Sequence, residues 1–94
     1  MDKFIFLGFP PQKRKRKKFF EEIAKSKYQV IFYESPYRIL KTLGELNQGF
    51  QAVVCRELTK KFETIYRGTI KEIIDKLKKE NKIKGEFVVV INKK

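Results

Sequence analysis

The sequence has no histidine and a single cysteine, Cys55. These absences exclude Ser-His and Cys-His nucleophile pairs, an intramolecular disulfide and the usual Cys/His zinc sites. Cys55 ends the apolar run Ala52–Cys55, which indicates a small buried hydrophobe rather than a reactive thiol. No apolar stretch approaches the roughly 20 residues of a membrane span, and no apolar signal core is present. The chain is therefore predicted to be soluble and cytoplasmic.

Acidic residues are also scarce, because 11 Asp and Glu stand against 23 Lys and Arg, for a net charge of +12 over 94 residues. A charge this large attracts polyanions, so the expected class of partner is RNA, DNA or an anionic membrane surface. The 41% hydrophobic content is ordinary for a globular protein, and the length allows one domain with a modest core.

Hydrophobic periodicity predicts five strands and three helices in the order β-α-β-α-β-β-α-β. The strands are expected over 3–7, 28–33, 52–55, 64–67 and 87–91, with 64–67 at an edge. The second strand is nearly all apolar, as expected for a strand covered on both faces. Helices are expected after the basic block, after Ser35-Pro36 and after Thr69, which has a capping-box spacing to Glu72. The prediction is a single small α/β domain, with a mixed sheet of about five strands and helices packed on it.

An unbroken block of six cations, Lys13–Lys18, runs into the first helix. Cations on a first turn oppose the helix dipole, so folding alone gives no reason for their position. A phosphate-bearing partner would use such a cluster. The alternative interpretation is a solvated charge run or a localisation-like tail.

Two polar clusters follow strands: Glu34-Ser35-Pro36-Tyr37-Arg38 and Arg56-Glu57-Leu58-Thr59-Lys60. If the second and third strands are parallel neighbours, both clusters lie at one sheet edge and line a pocket, with Ser35 at a helix start. Ser35 is alternatively a plain helix cap, and Arg56 and Glu57 alternatively pair on a solvated loop. Catalysis by Glu34 with Glu57 is disfavoured, because each has an arginine close in sequence that keeps it ionised.

Aromatic side chains near basic groups, such as Tyr33, Tyr37 and Phe62, are candidates for stacking on unpaired bases, although most aromatics fall in strands and are expected in the core. No glycine-rich fingerprint follows a strand, and no P-loop pattern occurs. A complete nucleotide site is therefore not expected within this sequence.

Five motifs together resemble the ribosomal RNA small-subunit methyltransferase I family, within the tetrapyrrole-methylase-like superfamily. They span nearly the whole chain in the order and spacing typical of that family: Gly8-Phe9-Pro10-Pro11-Gln12-Lys13, Phe32-Tyr33-Glu34-Ser35-Pro36-Tyr37-Arg38, Arg56-Glu57-Leu58-Thr59-Lys60-Lys61-Phe62-Glu63, Arg67-Gly68-Thr69-Ile70 and Lys84-Gly85-Glu86. Five matched motifs are far more specific than any one of them.

The resemblance implies a two-domain enzyme that uses S-adenosylmethionine to methylate the ribose 2′-hydroxyl of a cytidine in small-subunit ribosomal RNA. Residues 1–94 resemble its carboxyl-terminal domain, which shares the cofactor with an amino-terminal domain absent from this sequence. The implied partners are ribosomal RNA or the small ribosomal subunit, that amino-terminal domain and a second copy in a homodimer, with no membrane. The fragment alone is expected to be inactive.

The resemblance also implies roles for individual residues, with no metal ligand and no assigned catalytic residue. The implied cofactor-binding residues are Tyr33, Glu34, Arg56, Glu57 and Thr59, and the implied RNA-binding residues are Lys13, Arg14, Arg16, Lys17, Arg38 and Lys60. Two alternatives stay open: a stand-alone basic RNA-binding module without catalysis, and a methyltransferase domain for small tetrapyrroles. The net charge of +12 argues against the second.

Overall fold

A computed structural model describes residues 3–58, 61–80 and 83–92 of the chain. Its elements are β1 (Phe4–Phe6), α1 (Arg16–Lys25), β2 (Gln29–Glu34), α2 (Ile39–Gly44), β3 (Gln51–Leu58), β4 (Lys61–Thr69), α3 (Ile70–Lys78) and β5 (Glu86–Asn92). The predicted order and the α/β class with a five-stranded mixed sheet are confirmed. Among the residues described, no helix combines the length and apolar character needed to cross a membrane.

The five strands form one sheet in the spatial order β1-β2-β5-β3-β4. β1 pairs with β2 in parallel, whereas β5 is antiparallel to both β2 and β3, and β3 and β4 form an antiparallel pair. β4 is at the edge, as predicted. β2 and β3 are not neighbours, because β5 lies between them, but they run in the same direction. The carboxyl ends of β2 and β3 therefore still lie along the same edge of the sheet, meaning the side at which these strands end.

The helices cover one face of the sheet, so buried and partly exposed residues alternate along the central strands. The Phe19 ring of α1 contacts the Phe32 ring of β2 edge-on, and α2 packs against α3. The core on this covered face consists mainly of Phe19, Ile23, Val30, Phe32, Ile39, Leu43, Val54, Ile70, Ile73, Leu77, Phe87, Val89 and Ile91. Coverage of β2 on both faces was expected and is wrong, because Tyr33 is 39% exposed on the opposite, open face.

The predicted capping box of α3 is present and depends on the preceding glycine. Thr69 Oγ1 accepts the backbone N–H of Glu72, and the Glu72 carboxylate accepts the backbone N–H of Thr69. These hydrogen bonds lower the pKa of Glu72. Gly68 has a φ of +136°, and a Cβ there would lie 2.7 Å from Glu72 Oε1. A side chain at position 68 would therefore displace the cap.

The start of α2 differs from the prediction that Ser35 caps it. Residues 36–38 form a turn, α2 begins at Ile39, and the Ser35 hydroxyl is buried without a hydrogen-bond partner among the described residues. One residue earlier, Glu34 Oε1 accepts the backbone N–H of Ser35 at 2.8 Å, and this contact holds the chain as it leaves β2.

Candidate functional site

The carboxyl ends of β2 and β3 meet the start of β5 at one edge of the sheet. Phe87 pairs in register with Glu34 of β2 on one side and with Arg56 of β3 on the other. Residues directly opposite one another on neighbouring strands point to the same face. Glu34 and Arg56 therefore lie at the same edge and on the same, helix-covered face, while their chain neighbours Tyr33 and Glu57 lie on the open face.

Glu34 is fully buried and anchors the turn that leads into α2. Its carboxylate accepts a 2.5 Å hydrogen bond from Thr42 Oγ1 and the N–H of Ser35, and the Nε of Arg38 lies 3.3 Å away. A buried carboxylate persists only when its oxygens are paired in this way. All of these partners belong to the protein, so Glu34 serves the scaffold in this structure.

Arg16 continues the same buried network from the first residue of α1. Its guanidinium donates to Thr42 Oγ1 at 2.9 Å, to the Pro11 carbonyl at 2.8 Å and to the Glu45 carboxylate at 2.6 Å. Arg16 is only 8% exposed. The sequence prediction placed Arg16 on the RNA-facing surface. The structure instead places its side chain inside the domain, because a guanidinium with this many protein acceptors is held between α1 and α2.

Arg56 belongs to a second network beneath β3 and β4. Its Nη1 lies 2.5 Å from Glu80 Oε1, and its Nη2 donates to Thr64 Oγ1 at 2.9 Å. The Tyr66 hydroxyl also donates to Glu80. Burial, followed by this hydrogen bond, raises the pKa of Tyr66 to about 12. Arg56 was expected in a loop after the third strand, but β3 extends to Leu58 and holds it within the sheet.

Tyr33 and Glu57 meet in a pocket of about 320 Å³ on the open face. The pocket is lined by Phe9, Tyr33, Glu57, Glu86, Phe87 and Val88. The ring centroids of Phe9 and Tyr33 are 5.4 Å apart, so the two rings form one aromatic wall. Phe9 is brought to β2 by the loop after β1, because the Gly8 carbonyl accepts the backbone N–H of Tyr33 at 2.9 Å.

The other wall of this pocket carries two carboxylates in register. Glu57 of β3 pairs directly with Glu86 of β5. Like charges opposite one another on paired strands destabilise a sheet, so this arrangement is not explained by folding. Carboxylates beside aromatic rings attract organic cations and accept hydrogen bonds from hydroxyl and amine groups. The pocket therefore suits a ligand that carries positive charge and several donors.

The basic block borders the same edge, since it follows β1, which is parallel to β2. Five of its six cations, Lys13, Arg14, Lys15, Lys17 and Lys18, are exposed. The first turn of α1 contains no acidic residue, and Lys15 precedes it with a φ of 66°. Exposed cations around a helix start produce a local positive potential that favours phosphate groups. We call these five residues, three before α1 and two in its first turn, the cationic loop.

Arg38 and Lys60 are the two remaining predicted RNA-facing positions. Arg38 is partly exposed, at 33% of its side chain, and is paired with Glu34. Its neighbour Tyr37 is 94% exposed in the turn before α2. Lys60, together with the predicted cofactor residue Thr59, lies outside the described residues.

Comparison with known proteins identifies the family, although no protein-family model matches the sequence. Over 93 residues the chain is 43% identical to the ribosomal RNA small subunit methyltransferase I of Hydrogenobaculum sp., covering 96% of this chain and 40% of that relative. The protein of the same name from Halalkalibacterium halodurans is 43% identical over 94 residues, and that from Bacillus subtilis is 42% identical over 92 residues. The chain belongs to this family and matches its carboxyl-terminal domain.

The chain spans 40% of the length of the Hydrogenobaculum relative, 32% of the Halalkalibacterium relative and 31% of the Bacillus relative, while these matches cover 94–96% of the chain itself. Of the residues that line the pocket, the sequence prediction named Tyr33 and Glu57 but not Phe9 and Glu86. Both are in the motifs that carried the resemblance. The missing information was the strand register, since only the pairing of β3 with β5 brings Glu86 opposite Glu57.

Proposed function

We propose that this chain is the carboxyl-terminal domain of an S-adenosylmethionine-dependent ribosomal RNA 2′-O-methyltransferase. In that enzyme the domain completes the cofactor cleft and binds the RNA. The observation that carries the proposal is one sheet edge that combines an aromatic, acidic pocket with the cationic loop. The family membership supports the reaction class, because the matched relatives are named as ribosomal RNA methyltransferases.

The chemistry of the pocket fits S-adenosylmethionine. When bound, this cofactor supplies the methyl group from a positively charged sulfonium centre, and it also carries an ammonium group and ribose hydroxyls. Glu57 and Glu86 provide acceptors for such donors, and the rings of Phe9 and Tyr33 provide π faces that attract cations. The pocket opens onto the uncovered face of the sheet, where a second domain has room to form the opposite wall.

The cationic loop fits the phosphate backbone of RNA. Each lysine or arginine that neutralises a phosphate releases a condensed counterion, which favours binding and makes it sensitive to salt. The loop is held in place from inside, because the Pro11 carbonyl and the first residue of α1, Arg16, are joined by a 2.8 Å hydrogen bond. Arg16 therefore positions the loop, and the exposed cations contact the RNA.

A triple substitution of Lys13, Arg14 and Lys17 by alanine tests the RNA-binding half of the proposal. Binding of a small-subunit ribosomal RNA fragment is measured by fluorescence anisotropy over a range of salt concentrations. The triple variant is expected to bind more weakly, and the slope of log affinity against log salt is expected to fall by about 2, since each single-strand phosphate contact contributes roughly 0.7.

The matched control replaces Lys25, Lys27 and Lys71 by alanine. These exposed lysines lie at the end of α1, before β2 and at the start of α3, at the opposite edge of the sheet. The control removes the same charge but is expected to retain most of the salt slope. Equal losses of slope in the two triple variants would mean that the attraction is a property of total charge and not of the cationic loop.

The cofactor half is tested by nuclear magnetic resonance titration of the chain with S-adenosylhomocysteine, which detects binding even in the millimolar range. Amide signals of Phe9, Tyr33, Glu57 and Glu86 are expected to shift, and Glu57→Gln is expected to weaken the effect. Glu21→Gln, at an exposed position on α1, is the control for loss of one negative charge. RNA binding without any shift in the pocket would favour the stand-alone RNA-binding module.

Methyl transfer itself is expected to require the amino-terminal domain, because the pocket in this chain is open on the uncovered face of the sheet and that domain would close it. Labelled S-adenosylmethionine is incubated with small-subunit RNA and the 94-residue chain. No transfer of label is expected, and transfer by this chain alone would contradict the division of the cofactor site between two domains.

A further inference from the structure

We infer that Tyr37 is a stacking platform for an unpaired RNA base, and that the buried carboxylate of Glu34 holds it in position. This inference rests on the proposed RNA-binding function and adds what kind of RNA the domain takes. Tyr37 is 94% exposed, the highest value among the exposed large hydrophobic residues of the described chain. A single exposed aromatic residue is common on protein surfaces, so exposure alone does not carry the inference.

The second observation is the set of contacts that holds the turn from which the ring projects. Glu34 holds both ends of this turn, because it accepts the backbone N–H of Ser35 at 2.8 Å and lies 3.3 Å from the Arg38 side chain. The Arg38 N–H also donates to the Ser35 carbonyl at 3.2 Å. A turn whose backbone is already held loses less conformational entropy when a ligand binds, so these contacts favour stacking on Tyr37.

The third observation is the buried network that joins this turn to the start of α1, where the cationic loop lies, and the positive charge there selects RNA as the occupant. Thr42 joins Glu34 to Arg16, with hydrogen bonds of 2.5 Å and 2.9 Å. The turn carrying Tyr37 and the start of α1 are thereby tied to the same buried carboxylate, and the residues of the cationic loop lie on both sides of Arg16 in the sequence. The combination of an exposed aromatic ring with exposed cations is the arrangement that holds single-stranded nucleic acid, with the ring stacking on a base and the cations binding the phosphates.

Stacking and phosphate binding differ in a measurable way, because stacking on a base releases no counterions. Tyr37→Ala is therefore expected to weaken binding of single-stranded small-subunit RNA by about tenfold without changing the salt slope. Tyr37→Phe keeps the ring and is expected to bind like the unchanged protein. Because Tyr37 packs against almost nothing, both variants are expected to retain the stability of the fold, which thermal unfolding checks.

Two controls isolate the effect of an unpaired base. A fully paired RNA duplex of the same sequence offers no free base, so Tyr37→Ala is expected to leave duplex binding unchanged. Tyr28→Ala removes another exposed tyrosine, 42% exposed, from the opposite edge of the sheet, and is expected to leave both affinities unchanged.

The outcomes separate this inference from the proposed function. Normal single-strand affinity in Tyr37→Ala would overturn the stacking role and leave RNA binding by the cationic loop intact, as would an equal loss on single-stranded and duplex RNA. Failure of the unchanged protein to bind RNA would overturn both. A tenfold loss confined to single-stranded RNA, rescued by Tyr37→Phe, supports the inference.

Discussion

Near the ends of β2 and β3, the covered face and the open face of the sheet each carry a glutamate, and the two glutamates have different environments. Glu34 and Glu57 both lie near the carboxyl end of a strand, and β5 pairs with the strand of each. On the covered face, Glu34 is fully buried and its oxygens contact Thr42, Ser35 and Arg38. On the open face, Glu57 lines a pocket and faces another carboxylate, Glu86. The two glutamates have similar positions along their strands, but Glu34 is enclosed by protein groups and Glu57 faces the pocket.

The difference shows how one short motif serves two purposes. Because successive residues of a strand point to opposite faces, a pair such as Tyr33-Glu34 or Arg56-Glu57 sends one side chain into the scaffold and the other towards the pocket. The buried members fix the chain where β2 and β3 approach the edge, and the exposed members are left for a ligand. Neighbouring residues of one sequence motif therefore lie on opposite faces of the sheet and have different roles.

The largest expected effect comes from removing the buried charge with Glu34→Gln. Loss of one partner from a buried ion pair leaves Arg38 without its charged partner and weakens the short hydrogen bond from Thr42, so the free energy of unfolding is expected to fall by about 3 kcal/mol. Glu57→Gln is the matched substitution on the open face, and it is expected to change stability by less than about 0.5 kcal/mol, or to raise it slightly, since it relieves repulsion from Glu86.

Urea unfolding followed by circular dichroism measures both variants. Similar losses of stability in the two would contradict the distinction between a scaffold carboxylate and a pocket carboxylate. A loss in Glu57→Gln larger than in Glu34→Gln would reverse the assignment of the faces.

A smaller loss of unfolding free energy is expected from two valine substitutions that also compare the covered face with the open face. Val89→Thr places a hydroxyl on the covered face, where Val89 is completely buried, and is expected to cost about 2 kcal/mol. Val90→Thr makes the same change one residue later on the open face, where the hydroxyl reaches water, and is expected to cost less than about 0.5 kcal/mol. Equal costs, measured by urea unfolding, would indicate that the open face is covered in solution, for example by a second copy of the chain.

The smallest loss of unfolding free energy is expected for Tyr66, in the network with Arg56 and Glu80 beneath β3 and β4. Tyr66→Phe removes the hydroxyl that donates to Glu80 and is expected to cost about 1.5 kcal/mol at neutral pH. Burial and this hydrogen bond raise the pKa of Tyr66 from 10.0 to about 12, so the folded state favours the protonated form. The stabilisation is therefore complete below pH 10 and is lost as the pH rises towards 12.

The measurement is the difference in unfolding free energy between the unchanged protein and Tyr66→Phe as a function of pH. This difference is expected to shrink from pH 10 upwards. A difference that stays constant through that range would show that the Tyr66 hydroxyl does not titrate differently in the folded and unfolded states.

Local sequence signals predicted the elements well where a physical cause is confined to a few residues. Thr69 and Glu72 identified the capping box of α3, and the apolar positions after it identified the buried side of that helix. The Ser35 cap was wrong, because residues 36–38 form a turn, the helix starts only at Ile39, and the Ser35 hydroxyl has no hydrogen-bond partner among the described residues. The position of this turn depends on the contacts of Glu34 with Ser35 and Arg38, which residue preferences alone do not reveal.

The candidate site was predictable only in part. The resemblance named Tyr33 and Glu57, which the pocket brings together, but it grouped them with Glu34 and Arg56, which lie on the other face. Alternation along a strand predicts such a division once the strand boundaries are known. The third strand was expected to end at Cys55, and its true extent to Leu58 put Arg56 inside the sheet.

The sequence by itself determined the order of strands and helices, the family and the strong positive charge, because these follow from local periodicity, motif spacing and composition. Tertiary structure alone decided that β5 lies between β2 and β3, that Glu86 faces Glu57, and that Arg16 is enclosed while its neighbours in the cationic loop are exposed. The physical reason is that register and burial depend on contacts between residues far apart in the chain, and these contacts form only when the sheet and its helices pack together.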